Sequence, residues 1–62
     1  MYTRITGKHD KKPTIIVEIY ENGNCLLYLE GTKPFIRRGL SIERAKEIIL
    51  EANYTITIEE IF

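Results

Sequence analysis

The chain has 62 residues, nine basic and nine acidic, with one cysteine and no tryptophan. That length allows a single domain, residues 1–62, which buries only about 60% of its unfolded surface and holds a thin core. A formal charge of zero argues against a strong polyanion binder, and the unpaired Cys25 against a disulfide scaffold. No apolar run reaches the roughly 18 residues of a membrane span, and no N-terminal apolar region suggests secretion. Together with the lone cysteine, these features point to a reducing cytoplasm.

Residues 2–6 are short and β-prone, and are expected to form an edge strand. Residues 7–13, GKHDKKP, read as a polar loop without periodicity. Residues 14–31, TIIVEIYENGNCLLYLEG, read as a β-hairpin around Asn22-Gly23. Two loop lengths compete. A two-residue loop pairs Tyr20 with Cys25 and mixes charge into both faces, with Glu18 beside Leu27 and Leu29. A three-residue loop, Glu21-Asn22-Gly23, pairs Ile19 with Cys25, Val17 with Leu27 and Ile15 with Leu29. One face is then wholly apolar. A slip of one residue exchanges the two faces, so the hydrophobic pattern selects the three-residue loop. Gly23 then falls where the bulge after a type I turn needs a left-handed backbone.

Gly31-Thr32-Lys33-Pro34 is turn chemistry, and residues 35–38 are expected as a further meander strand ended by Gly39. Ser41 is placed to cap a helix, with Glu43 in the first turn where the helix dipole favours an anion. Arg44 stands where a capping box would need Glu or Gln, so this is a simple cap. Ile42, Ala45, Ile48, Ile49 and Ala52 form one apolar stripe at helical spacing, with Leu50 on its flank. Asn53 can adopt the left-handed conformation that stops a helix. Residues 54–59 alternate as a final strand, and Ile61 and Phe62 are expected to pack.

The order strand, strand, strand, weaker strand, helix, strand predicts an α+β fold. Its antiparallel sheet of three to five strands carries one helix on one face. The helix stripe is expected on Ile15, Val17, Ile19, Leu27 and Leu29, joined by Tyr54, Ile56 and Ile58. The opposite face presents Ile16, Tyr20, Leu26 and Tyr28 among Glu18, Asn24 and Glu30. Ile16 pairs with Tyr28, so the patch is continuous and resembles an interface more than a solvated face. Three coverings are open: the N-terminal strand or Ile61-Phe62, a second copy in a homodimer, or another partner. The expected role is a small non-enzymatic protein-binding or regulatory module working through these four residues.

Catalytic chemistry is not evident. Cys25 falls on the apolar face as a small hydrophobe, and the one histidine, His9, lies in the polar loop. Glu43, Glu47 and Glu51 mark successive turns of a solvated helix face, and His9-Asp10 lacks the three or four ligands of a zinc site. Gly7-Lys8 lacks the rest of a phosphate loop, and Ser41 has no base near it. No cofactor, metal or small-molecule substrate is implied.

Charge is unevenly placed. Residues 1–40 hold seven basic against four acidic side chains, and residues 41–62 two against five. Lys33, Arg37 and Arg38 with Phe35 form a short basic and aromatic group, and Lys8, Lys11 and Lys12 a second. The meander-then-helix layout, entered through Gly39-Leu40-Ser41-Ile42-Glu43-Arg44-Ala45, is similar in outline to the arm-type DNA-binding domains of some phage and transposon integrases. That resemblance, one of element order, implies an accessory protein binding nucleic acid through Lys33, Arg37, Arg38, Lys11 and Lys12. The strands depart from it, with Ile16, Glu18, Tyr20, Leu26 and Glu30 where a groove-reading sheet is rich in Arg and Lys.

Overall fold

A computed structural model describes residues 1–62. Strands β1 (Tyr2–Lys8), β2 (Ile15–Tyr20), β3 (Asn24–Leu29) and β4 (Phe35–Arg38) form a meander. Helix α1 (Ile42–Glu51) and strand β5 (Thr55–Ile61) follow. All neighbouring strands are antiparallel, in the spatial order β4-β3-β2-β1-β5. The expected α+β fold with one helix and an antiparallel sheet is the observed one.

The hairpin has the three-residue loop. Ile19 pairs with Cys25, Val17 with Leu27 and Ile15 with Leu29. The Gly23 amide donates to the Tyr20 carbonyl at 3.1 Å, closing the turn, and Gly23 has φ 88°. The Arg44 amide donates to Ser41 Oγ at 3.1 Å, so Ser41 caps α1. Asn53 ends the helix with φ 65°, a conformation its short polar side chain tolerates.

Two expectations are corrected. Phe62, expected to pack, is instead exposed at the end of the chain. β1 is not an edge strand but an inner one, because α1 carries the chain back across the sheet and sets β5 against the free side of β1. It also runs on to Lys8, into the segment expected as loop. Gly7 in this extension packs against α1 and against Tyr54, the residue that leads into β5. A Cβ there would lie 2.7 Å from Ile49 Cγ2 and 3.3 Å from Tyr54 Cβ. The core is Ile5, Val17, Ala45, Ile49 and Tyr54, with Ile15, Ile19, Leu27, Leu40, Ile42, Ala52 and Ile56 packed around it.

The helix covers less of the sheet than its stripe suggests. It approaches β5, β1 and β2 closely and neither β3 nor β4. A helix is about 10 Å across and strands are about 4.8 Å apart, so one helix spans roughly two strand spacings of a five-stranded sheet. Leu29 and Ile48, both expected in the helix–sheet seam, therefore remain exposed; Ile58, on the edge strand β5, is exposed as well.

Candidate interaction surface

The side of the sheet away from α1 carries alternate residues of every strand. One cross-strand row reads Ile36, Leu26, Glu18, Arg4 and Glu59 from β4 to β5. Beside it Tyr28 pairs with Ile16 and Ile16 with Thr6. On its other side Tyr20 pairs with Tyr2, and Tyr2 with Ile61. The four residues singled out by sequence, Ile16, Tyr20, Leu26 and Tyr28, thus share one face and are each half-buried. β1 joins this sheet in its plane and Phe62 is exposed, so neither segment that could have folded over the face does so.

At the centre of the face lies Glu18, only 7% exposed although charged. Its carboxylate accepts from the Tyr20 hydroxyl at 2.9 Å, from Arg4 Nε at 3.3 Å and from the Tyr28 hydroxyl at 3.5 Å. Arg4 in turn donates to the Tyr2 hydroxyl at 3.0 Å and lies 5.7 Å from that ring's centre. The Tyr2 and Tyr20 rings meet at 4.8 Å between centroids. A buried carboxylate is tolerated only when paired and hydrogen-bonded, and these three donors supply that. No buried side-chain polar atom is left without a partner.

The same contacts govern the phenols. The hydrogen bond to Glu18, with burial, pushes the Tyr20 hydroxyl up to about 12. Burial, with the nearby Glu18 charge, raises Tyr28 as well. Both therefore stay protonated donors at neutral pH, the opposite of what a tyrosine base or nucleophile requires. The arrangement holds rings in place; it does not activate a reacting group.

Tyr2 and Arg4 are the members that sequence reasoning passed over. Their signal was present, since Tyr2, Arg4 and Thr6 alternate at strand spacing. Treating residues 2–6 as a peripheral strand removed them from the face.

The basic residues do not gather. On β4, Arg37 pairs with Cys25 on the helix side and Arg38 with Asn24 on the open side, so the two point to opposite faces. Lys12 Nζ donates to the Ala52 carbonyl at 3.2 Å and sits 5.6 Å from the centre of the Tyr54 ring. It is thus tied to the end of α1, while Lys11 stays exposed in the β1–β2 loop and Lys33 in the turn before β4. Three strand spacings, about 14 Å, separate β1 from β4. Cys25 is buried on β3, its thiol donating to the Arg37 carbonyl of the neighbouring β4 at 3.4 Å. No helix is long and apolar enough to cross a membrane.

Comparison with known proteins adds no name to this geometry: no family model matches the chain, and no curated protein or solved structure matches it.

Proposed function

We propose that this chain is a small non-enzymatic protein-binding or regulatory module of the cytoplasm. It docks a protein partner on the open sheet face built from Ile16, Tyr20, Leu26 and Tyr28 and enlarged by Tyr2 and Arg4. The observation that carries this reading is the set of three tyrosines and an arginine held around Glu18 by their own hydrogen bonds. Tyrosine and arginine supply most binding hot spots, because each offers a large contact area with a polar end. Here their rotamers are already fixed, so a partner does not pay to order them, a cost of about 0.5–1.5 kcal/mol per side chain elsewhere. Ile16 and Leu26 add apolar contact between the rings.

The experiment is a partner capture from the native host with wild type, Leu26→Lys and Tyr20→Ala, each checked for folding by circular dichroism. A partner held by wild type and released by both variants supports the reading. A partner held equally by all three places the binding elsewhere.

A second reading, nucleic-acid binding through Lys33, Arg37 and Arg38, draws support from the fact that none of the three forms an ion pair within the chain. It predicts retardation of DNA or RNA at low salt that is lost in the Arg37→Ala plus Arg38→Ala variant and falls steeply with added salt. Absence of any retardation at low salt removes it.

A further inference from the structure

The sheet ends on two free edges, β5 and β4. In an antiparallel sheet a residue turns its N–H and C=O to one neighbouring strand, and the next residue turns them to the other. The Glu30 amide donates to the Thr14 carbonyl at 2.8 Å, so the even-numbered residues of β2 bond to β3 and the odd-numbered ones to β1. Carried across the register, Thr3, Ile5 and Gly7 bond to β2, and Tyr2, Arg4, Thr6 and Lys8 bond to β5. On β5 this leaves Ile56, Ile58 and Glu60 with both backbone groups aimed at the open edge. No turn or loop hydrogen bond takes them up. A row of free N–H and C=O groups is a template for another strand. Ile58, in the middle of this row, faces the helix side opposite buried Ile5 and is still 44% exposed.

The β5 edge is complementary to itself in one register. A two-fold axis normal to the sheet and just outside β5 lays the strand antiparallel to its own copy. Centred on Ile58, it pairs the whole of Thr55–Ile61 with nothing left over. Ile58 exchanges both backbone bonds with the partner's Ile58, and Ile56 does so with the partner's Glu60, so every outward group is satisfied. Glu59 falls opposite the partner's Thr57 and Glu60 opposite the partner's Ile56, so no like charges stand directly across the seam. Centring on Glu59 or Glu60 sets a glutamate against its own copy. Centring on Ile56 or Thr57 carries Glu60 past the start of the strand. The β4 edge offers no such solution. Its outward residues are Ile36 and Arg38, because the Gly39 amide donates to the Gly23 carbonyl and fixes the alternation there. Two-fold pairing centred on Arg37 or Arg38 opposes arginine to arginine, and pairing centred on Ile36 sets Arg38 against Pro34, which has no N–H.

We propose that a second copy of this chain closes the β5 edge, joining the two sheets into one through a two-fold axis at Ile58. The helix leaves room for this. It rests on β5, β1 and β2 and is about 10 Å across, roughly the width of those strands, so it reaches the sheet edge without crossing the axis. Both helices then lie on one side of the joined sheet and both open faces on the other. The open faces stay uncovered, so dimerisation and partner docking are lost in different variants.

Sedimentation velocity from micromolar to millimolar protein reads the oligomeric state, and hydrogen exchange resolved by residue reads the edge. Wild type is expected to be a dimer at the upper end of that range. Its Ile56, Ile58 and Glu60 amides are expected to be protected there and released on dilution. The Ile36 and Arg38 amides are expected to exchange freely throughout. Ile58→Lys and Ile58→Glu each set like charges at the axis, and each is expected to raise the dimer dissociation constant about tenfold or more. An equimolar mixture of the two brings opposite charges together and is expected to recover the dimer, which also shows that both variants fold. Leu26→Lys on the open face, and Phe35→Lys in the apolar groove between α1 and β4, are expected to leave the dimer intact.

A wild type that stays monomeric at the highest concentration overturns the proposal and leaves the edge to a strand of another protein. So does a dimer whose Ile56, Ile58 and Glu60 amides exchange freely, or a mixture that recovers no dimer. A dimer broken by Leu26→Lys or Phe35→Lys but not by Ile58→Lys places the interface elsewhere. Protection of Ile56 and Ile58 without Glu60 overturns the register.

Discussion

Replacing Gly7 with alanine adds one methyl group at a close contact of β1 with α1. The new Cβ would lie 2.7 Å from Ile49 Cγ2 and 3.3 Å from both Cβ and Cδ2 of Tyr54. Carbon atoms in comfortable contact are about 3.5–4.0 Å apart, so the Ile49 methyl must retreat by roughly 0.8 Å. It has nowhere to go. Ile49 is 1% exposed, and a β-branched side chain in a helix is confined to one χ1 rotamer. Tyr54 Cβ is attached directly to backbone and moves only with it. Overpacking of this kind costs about 1–3 kcal/mol. Gly7 lies in a strand with no positive φ, so alanine recovers about 0.4–1 kcal/mol by restricting the unfolded chain. The net loss is about 0–2.6 kcal/mol, which in a domain this small lowers Tm by about 4–8 °C for each kcal/mol. Urea and thermal unfolding followed by circular dichroism measure it. Ile49→Leu moves the branch off Cβ and removes Cγ2, so a double-mutant cycle with Gly7→Ala should show coupling of about 1 kcal/mol. A midpoint that rises, or two strictly additive substitutions, would refute the packing argument.

The Tyr20 phenol adds a pH dependence. Its value is raised from 10 to about 12, so the folded state holds the proton more tightly than the unfolded state does. The stabilisation is whole below pH 10 and is lost as pH rises from 10 to 12. Unfolding midpoints should fall through that window, and less so in Tyr20→Phe. A phenolate absorbance titration in which every tyrosine ionises near 10 would contradict this, while Glu18→Gln should bring Tyr20 down. Cys25, 1% exposed, should react with a thiol reagent only as fast as the protein opens. Labelling at the rate of a free thiol in native buffer would show that β4 does not hold its place beside β3.

The parts of this protein legible in sequence are those decided within a few residues. The Asn22-Gly23 turn and the alternation on either side set the hairpin register, because any other pairing puts charge into the core. Ser41 and Asn53 mark the helix ends through their own side-chain and backbone chemistry. The open face followed from that register, and Ile16, Tyr20, Leu26 and Tyr28 do lie together on it. What tertiary structure alone decided is where non-local pieces meet. The landing of β5 beside β1 made an inner strand of a segment that looked peripheral and added Tyr2 and Arg4 to the open face, while Ile49 of the helix and Tyr54 close against position 7. The width of one helix against five strands left β3 and β4 uncovered and opened the groove beside Phe35. Turn chemistry and residue period act along the chain. Which edges pair, and how far a helix reaches across them, depend on contacts between residues distant in sequence, and no local pattern records those.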